Sequence, residues 1–417
     1  MHILIVTNSF SRIQLFNFAR ILSKDHTISA VSFERSFDSR SKGKETCYGD
    51  CRLVPLEKRS VLTTALKSIL SLKPYCLASN YSALLTKSIE EFVHTHKVDV
   101  VIFDQLAGGQ YHTHVKGPVK IFYPVDAQSR QKQQRYGIEP NFFKRLLYYL
   151  DYLMVLRYEN KIYNAFEHLF LASAEDAAYT RRTCEKLRAR IHVVSSGVDL
   201  DFYHPADESC NPGEPSMVFF GNLSTVVNEQ AVLWFYKNVW LALKTEVRNL
   251  KWYIVGTAPR DAVKKLSAEQ DIVVTGYVDD YRPYIWNASV FISPLIMGTG
   301  LKNKVLQAMA MGKAVVATPL SIEGISAEHN KHLLVADDAE SFKNAVLLLL
   351  NDRRLAVRLG AEARKMVEQN YSWQKIAENF IKVVASIVED EQYRLSQTPS
   401  RSSRLEQRPV DTLILRR

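Results

Sequence analysis

The sequence has few cysteines and no long apolar run. Its 417 residues contain five cysteines, scattered except for Cys47 and Cys51. This pair has no second ligand pair at zinc-site spacing, so we expect reduced thiols. No segment approaches the roughly 18–20 uncharged apolar residues of a membrane span. The first ten residues, MHILIVTNSF, have no basic n-region or small-residue cleavage site. We therefore predict a first strand and a cytoplasmic protein.

Sequence patterns of nucleic-acid-binding modules are also missing. The formal net charge is +10, but zinc-finger spacing, an RNP-like aromatic strand and a homeodomain helix are absent, so nucleic acid is not an expected partner. The excess of base suits anionic ligands or an anionic bilayer surface. The basic and aromatic helix predicted over 144–166 is read as core-facing, with its basic residues in solvent. A peripheral contact with the inner face of the membrane is the alternative.

Length and element order predict two α/β domains. A chain of 417 residues allows two domains of about 200 residues each, or three smaller ones. Buried strands alternate with helices over 1–195 and again over 196–371, the pattern of doubly wound parallel sheets. The turn-rich segment 206–215 suits a linker. Residues 391–417, rich in Ser, Arg and Gln, are predicted to be a disordered basic tail.

The stretch 290–324 is predicted to be a strand, a glycine-containing loop at 298–300, a helix from Leu301 and a second strand. Unpaired N–H groups and the dipole at a helix start favour anions, and glycines allow close approach. Lys302 and Lys304 fall in the predicted first turn, where cations oppose the dipole. They therefore indicate a pocket for a di-anion; two solvated surface lysines are the alternative.

Four turns that follow strands of the second domain contain glycines. Ligands of open parallel sheets bind at the carboxyl ends of the strands. One such glycine alone is more often a plain turn, and their shared position is what favours a binding site. The candidate ligand-contacting residues are Gly221, Asn222, Gly256, Gly276, Thr299, Gly300 and Leu301.

The run GTGLKNKVLQAMAMGKAVVATPLSIEGI resembles the nucleotide-sugar-binding core of the family 4 glycosyltransferases. These are retaining enzymes of the GT-B fold, with two Rossmann-like domains facing across a cleft. The resemblance implies a nucleoside-diphosphate sugar as donor. It implies that Gly276, Tyr277 and Val278 contact the nucleotide base through their backbone. It also implies that the terminal helices, about 372–390, cross back onto the N-terminal domain.

Two positions of the run depart from the family pattern. Family members usually carry Glu where this chain has Gln307, and that Glu accepts hydrogen bonds from the donor ribose. Gln can still accept through its carbonyl oxygen but is neutral, so Gln307 remains a donor-binding candidate. Many members also carry an acidic residue where Thr299 stands. In the first domain, the family's usual glycine pair is replaced by Asn8-Ser9-Phe10-Ser11.

Glycosyl transfer requires stabilisation of the leaving diphosphate as the glycosidic bond breaks. Lys302, Lys304 and the helix N-terminus supply this without a metal, so the lysines are catalytic candidates. The sequence has no Asp-x-Asp between apolar strands; Asp199 and Asp201 lie in the interdomain segment that precedes 206–215. We therefore expect no metal and no cofactor besides the donor.

Three further residues are candidates around the cleft. Asp126 ends a strand, aligns loosely with an acidic position of the family, and is predicted to orient or deprotonate the acceptor; capping the next helix is the alternative. Arg12 is a second acceptor-binding candidate, against a plain surface arginine. Glu323 is a donor-sugar candidate, against capping its own turn.

Together with these residues, the family resemblance implies a hexosyltransferase-type retaining enzyme. It would move a sugar from a nucleoside diphosphate to a glycan or lipid-linked acceptor in cell-surface polysaccharide biosynthesis. A non-catalytic GT-B homologue that binds nucleotide or a partner is one alternative, and Gln307 favours it. A GT-B epimerase is another, but it requires acidic catalytic groups in the cleft; a phosphorylase requires a cofactor lysine and a longer chain.

Overall fold

The molecule is built on two parallel sheets. The computed structural model describes residues 1–8, 13–33, 47–56, 60–71, 73–79, 81–206 and 213–397. Arg12 and residues 398–417 lie outside these ranges, so the acceptor role predicted for Arg12 stays a prediction.

The first sheet has seven parallel strands in the order β3-β2-β1-β4-β5-β6-β7. Near-continuous apolar sequences such as VVIFD form strands that are buried on both faces by helices. The strands β1 to β7 are His2–Val6, Thr27–Phe33, Cys51–Val54, Val100–Asp104, Val119–Val125, His168–Leu171 and Arg190–Val193. The helices α1 to α8 are Ile13–Leu22, Val61–Ser71, Tyr75–Ser79, Ala83–Thr95, Gln105–Gly109, Gln128–Ile138, Phe142–Tyr163 and Ala174–Thr183.

The second sheet has six parallel strands in the order β10-β9-β8-β11-β12-β13. Strands β8 to β13 are Ser216–Phe220, Lys251–Val255, Ile272–Gly276, Val290–Ser293, Val315–Ala317 and Leu334–Val335. Helices α9 to α16 are Val226–Phe235, Leu241–Glu246, Asp261–Lys264, Arg282–Asn287, Asn303–Ala310, Ala339–Asn351, Arg353–Asn370 and Trp373–Gln397, with a π-helical turn at Tyr236–Trp240 between α9 and α10.

Each sheet reverses its strand order once, between β1 and β4 and between β8 and β11. Loops at such a reversal diverge to opposite faces and leave a crevice at the carboxyl ends of the strands, where ligands bind. Two apolar clusters cover the two faces of each sheet. The predicted fold class, α/β with two Rossmann-like units, is confirmed.

The last helix, α16, packs on the first sheet although it follows the second in sequence. Trp373 and Phe380 of α16 lie in the same apolar cluster as Ile5 and Phe18, and the Phe18 and Phe380 rings stack at 4.5 Å. The backbone N–H of Val198 donates to the Tyr371 carbonyl at 2.7 Å. The chain therefore passes between the two units twice, near Val198 and near Tyr371, and this hydrogen bond joins the two crossing segments.

Three expectations need correction. Helix α13 begins at Asn303, so Lys302 occupies the position before the helix and not its first turn. Helix α16 continues to Gln397, seven residues into the predicted tail, where Arg394 pairs with Glu167 at 3.0 Å. Helix α7 is core-facing only in its second half, because its first buried residue is Val155. The residue period alone did not reveal that, among the described residues of α7, those before Val155 are not buried.

None of the described helices combines the length and apolar character that crossing a bilayer requires.

Candidate active site

The loop between β11 and α13 places two lysines beside the crevice of the second sheet. Lys302 is only 6% exposed, and its ammonium group donates to the Gly300 carbonyl. Lys304 is half-buried; it donates to the Asn228 side chain and lies 4.4 Å from the Phe219 ring centre. The alternative of two solvated surface lysines is therefore wrong.

Gly221, which follows β8, lies next to the side chains of Lys304 and Asn228. A Cβ atom at this position would lie 2.8 Å from the Asn228 amide nitrogen and 3.0 Å from Lys304 Nζ. Asn222 caps its own turn by accepting from Ser224 N at 3.1 Å. The glycine thus lets a lysine and an amide approach the backbone at the end of β8, beside the strand-order reversal.

Gly256, which follows β9, touches the same loop. A Cβ atom there would overlap the carbonyl oxygen of Gly221. The backbone N–H of Gly221 donates to the Val255 carbonyl at 3.0 Å, and that of Leu223 to the Thr257 carbonyl. The turns after β8 and β9 therefore form one packed unit.

The base-contact candidates lie further out. Gly276 ends β10, the edge strand of the second sheet, with a φ of +70°. Tyr277 is exposed and Val278 is half-buried, packed against the apolar cluster under the crevice. These residues are two strands away from the reversal point.

Gln307 lies on α13, one turn after the lysines, and its side-chain oxygen accepts from the Tyr281 hydroxyl at 3.4 Å. Tyr281 is also hydrogen-bonded to the hydroxyl of Tyr203 and stacks on Phe220 at 4.8 Å. The carbonyl oxygen of Gln307 is thus oriented by an aromatic cluster between α13 and the linker. This oxygen has a second lone pair, which can accept from a ribose hydroxyl.

Asp126 reaches the glycine loop from the other sheet. Val125, which precedes it, has a φ of +72°, a conformation that a β-branched residue rarely adopts. Backbone strain of this kind persists where surrounding structure imposes it, and it concentrates at functional sites. The turn brings the Asp126 carboxylate against Gly300, where a Cβ atom would overlap it. The structure therefore brings together Asp126 and the loop that contains Thr299, Gly300 and Leu301.

Glu323 contacts the other sheet instead of lying free in its turn. It accepts two hydrogen bonds from Arg130 of α6, at 2.9 and 3.0 Å. Arg130 also pairs with the fully buried Asp176 at 3.4 Å. Close by, the backbone N–H of Gly298 donates to the Gln134 side chain at 2.8 Å. The two sheets therefore meet at this cluster, and Glu323 forms part of the contact.

Four residues of the site were not predicted from the sequence: Arg130, Gln134, Asp176 and Asn228. The only signal for the first two is the basic and amide-rich run QSRQKQQR after Asp126. Glu159 was not predicted either; its buried carboxylate accepts from the backbone N–H of Ser129 at 3.2 Å and supports the start of α6. Burial raises the pKa of Glu159 to about 7.

The pocket combines two lysines, glycine-lined backbone and a facing carboxylate. Burial lowers the pKa of Lys302, while Glu323 and Asp126 oppose that shift by favouring its charged form. Such a site can hold a phosphate-bearing group on the second sheet and present it to a carboxylate of the first. In the part of the chain that the structure describes, no three His, Cys, Asp or Glu side chains are grouped as metal ligands.

Lys304 predicts a pH dependence of stability. Burial, with a smaller effect of Lys302, lowers the pKa of Lys304 from 10.5 to about 7. Between pH 7 and pH 10.5 the unfolded chain binds more protons at Lys304 than the folded chain does. The destabilisation caused by burying Lys304 therefore decreases, and the free energy of unfolding rises, as pH increases from 7 towards 10.5. Lys304→Met removes this dependence. In chemical denaturation, the increase in the free energy of unfolding that Lys304→Met gives over wild type should be larger at about pH 6 than at about pH 9.5.

Lys382→Met is the control for this measurement, because Lys382 is exposed on α16. Its difference from wild type should be small and the same at both pH values. An equal effect of Lys304→Met at both pH values would contradict the perturbed pKa.

The match to a known protein family lies in the part of the chain that forms the second sheet. The family model for glycosyl transferases group 1 matches residues 214–352, one third of the chain. The matched segment contains the strands of the second sheet, both lysines and Gln307. This part of the chain is therefore similar to a domain of the glycosyl transferases group 1.

A curated relative and two solved structures extend the comparison. An uncharacterized 44.6 kDa protein in the cps region of Klebsiella pneumoniae is 24% identical over 259 residues, 58% of this chain. The match spans 63% of that relative, less than two thirds of its length. Sucrose-phosphate synthase from Thermosynechococcus elongatus superposes with a TM-score of 0.68, at 14% identity, over 94% of this chain and 100% of that one. Anabaena HepE, solved with UDP-glucose, superposes with a TM-score of 0.66, at 13% identity, over 93% of this chain and 100% of that one.

These structural likenesses cover both sheets. Together with the strand orders, they confirm the predicted GT-B architecture of two Rossmann-like units.

Proposed function

We propose that this protein is a glycosyltransferase that uses a nucleoside-diphosphate sugar as donor. The observation that carries the proposal is the paired lysine pocket between β11 and α13, which faces a carboxylate across the crevice. Lys302 and Lys304 bind the diphosphate, together with the N–H groups of Thr299, Gly300 and Leu301. The match of residues 214–352 to glycosyl transferases group 1 supports the same reaction class.

In this proposal, the second sheet stabilises the leaving diphosphate and the first sheet acts on the acceptor. As the glycosidic bond breaks, negative charge develops on the departing diphosphate, and the two lysines stabilise it. The reaction then needs no metal. Asp126, held against Gly300, orients the acceptor hydroxyl or takes its proton. The Gln307 carbonyl holds the ribose, and Gly276, Tyr277 and Val278 the base.

The finer assignments are part of the proposal. The transferred group is a hexose and the reaction retains configuration, as the family 4 resemblance implies. The acceptor is a glycan or a lipid-linked sugar in cell-surface polysaccharide biosynthesis, and the enzyme works in the cytoplasm at the inner face of the membrane. A relative found in a cps region and the bound UDP-glucose of a structural neighbour support the substrate class.

Donor binding tests the proposal directly. Binding and hydrolysis are measured across a panel of UDP-, GDP- and ADP-sugars, with wild type and Lys302→Ala/Lys304→Ala. We expect one donor to bind and the double variant to lose at least roughly a hundredfold in affinity, because two charge-assisted contacts disappear. Lys264→Ala/Lys265→Ala is the matched control, since both of these lysines are exposed, and it should bind like wild type.

If no sugar nucleotide binds, or if both double variants bind equally well, the proposal is wrong. Binding without turnover favours the non-catalytic alternative, which the neutral Gln307 supports. Gln307→Glu then separates two cases. A large gain in turnover identifies a decayed ribose site, whereas an unchanged rate means that Gln suffices.

A further inference from the structure

The α6–α7 hairpin, residues 128–163, is anchored in the molecule at one end only. In the second half of α7, Val155, Ile162 and Tyr163 are buried in the core of the first sheet. The first thirteen residues of α7 contain no buried residue, and at 1.5 Å per residue they extend about 20 Å. Their neighbour is α6, through the Lys132–Asp151 ion pair at 2.7 Å and the hydrogen bond from Arg135 to Tyr148 at 2.9 Å.

The exposed half of α7 is apolar where solvent would favour polar side chains. Phe142, Phe143 and Leu147 are 72%, 76% and 64% exposed. Further exposed apolar side chains line the same part of the hairpin: Ile138, Leu146, Tyr149, Leu150 and Leu153. Single exposed apolar residues are ordinary, but a contiguous group of this size marks an interaction surface.

The charges around this surface indicate which partner it fits. Residues 128–150 contain one acidic residue, Glu139, and five basic ones: Arg130, Lys132, Arg135, Lys144 and Arg145. Lys144 and Arg145 follow the two phenylalanines directly and are exposed to solvent. Aromatic and leucine side chains beside basic ones match an anionic lipid surface, where the rings enter the headgroup region and the cations meet phosphate.

We propose that the tip of the α6–α7 hairpin docks on an anionic lipid bilayer, with Phe142, Phe143 and Leu147 inserted and Lys144 and Arg145 on the headgroups. The first two turns of α6 contact the candidate site, because Arg130 pairs with Glu323 and Gln134 accepts from Gly298. An eleven-residue helix such as α6 spans about 16 Å. A bilayer at the tip therefore places an acceptor with a lipid anchor within reach of Asp126. This last step rests on the proposed function.

Vesicle co-sedimentation of the full chain tests the surface without any donor. We expect binding to phosphatidylcholine vesicles that contain phosphatidylglycerol, weakening in high salt, and little binding to pure phosphatidylcholine. Phe142→Ser/Phe143→Ser/Leu147→Ser should lower vesicle affinity at least roughly tenfold. Lys144→Ser/Arg145→Ser should lower it about thirtyfold, since each cation near an anionic surface is worth about a factor of five.

Leu241→Ser/Leu348→Ser/Val357→Ser is the matched control, because it removes three exposed apolar side chains beside the second sheet. It should bind vesicles like wild type. The proposal is overturned if the control loses as much vesicle affinity as the hairpin variants, or if the hairpin variants keep the full affinity of wild type. It is also overturned if wild type binds no vesicles. A wild-type dimer in light scattering that the hairpin variant abolishes, with no vesicle binding, would assign the surface to a second copy instead. Unchanged sugar-nucleotide binding by the hairpin variants separates this result from failure of the proposed function.

Discussion

Gly256→Ala should destabilise the second sheet and abolish sugar-nucleotide binding together. The added Cβ atom overlaps the carbonyl oxygen of Gly221, and Gly256 has a φ of +154°, which L side chains rarely adopt. The obstacle is backbone and cannot move aside like a flexible side chain. The turns after β8 and β9 must therefore separate, which withdraws Gly221 from Lys304 and Asn228. We expect a loss of about 3 kcal/mol or more in the free energy of unfolding.

Chemical denaturation and donor titration measure the two effects. Gly137→Ala is the control, because Gly137 lies in α6 and nothing lies within 4 Å of its added Cβ atom. It should leave stability unchanged or raise it by up to about 1 kcal/mol. If both variants unfold at the same denaturant concentration, the close contact between the two turns is not a constraint on the fold.

Arg130→Ala should weaken the contact between the two sheets. It leaves the buried Asp176 and the half-buried Glu323 without the guanidinium that pairs with both. Removing one partner of a buried ion pair costs more than forming the pair gains, because the remaining charge stays desolvated. We expect a loss of about 3 kcal/mol in stability. We also expect a larger radius of gyration in small-angle X-ray scattering, because the first and second sheets separate.

An arginine pair on the surface provides the comparison. Arg260 pairs with Glu229 at 2.9 Å within the second sheet's own helices and loops, and its side chain is 45% exposed. Arg260→Ala should cost less than about 1 kcal/mol and leave the radius of gyration unchanged. Equal costs for the two arginines would show that the Arg130 cluster contributes no more than an ordinary surface pair.

Features that depend on neighbouring residues were predictable from the sequence. Near-continuous apolar strands alternate with helices, and their order in the chain implies parallel sheets with helices on both faces. The glycine loop and the lysines at 298–304 were recognised because a strand, a tight turn and a helix start leave a local pattern. Even there, the exact start of α13 at Asn303 placed Lys302 outside the helix, since helix boundaries depend on the conformation of single residues.

Features that depend on two distant segments were not predictable. Arg130 and Glu323 lie 193 residues apart in sequence, and Lys304 and Asn228 lie 76 apart. Neither pair follows a helical or strand period, so no pattern in either segment identifies its partner. The same holds for α7, whose apolar residues repeat along its whole length although only its second half is covered.

By itself, then, the sequence determined two parallel sheets and a glycine-containing strand–loop–helix unit with two lysines, because burial period and turn chemistry act over a few residues. The tertiary structure decided that Asp126 meets Gly300, that Glu323 pairs with Arg130, and that the described part of the molecule buries α7 only from Val155 onwards. These contacts depend on how two separately folded sheets pack against each other, and that packing is set by the summed shape and charge of both surfaces.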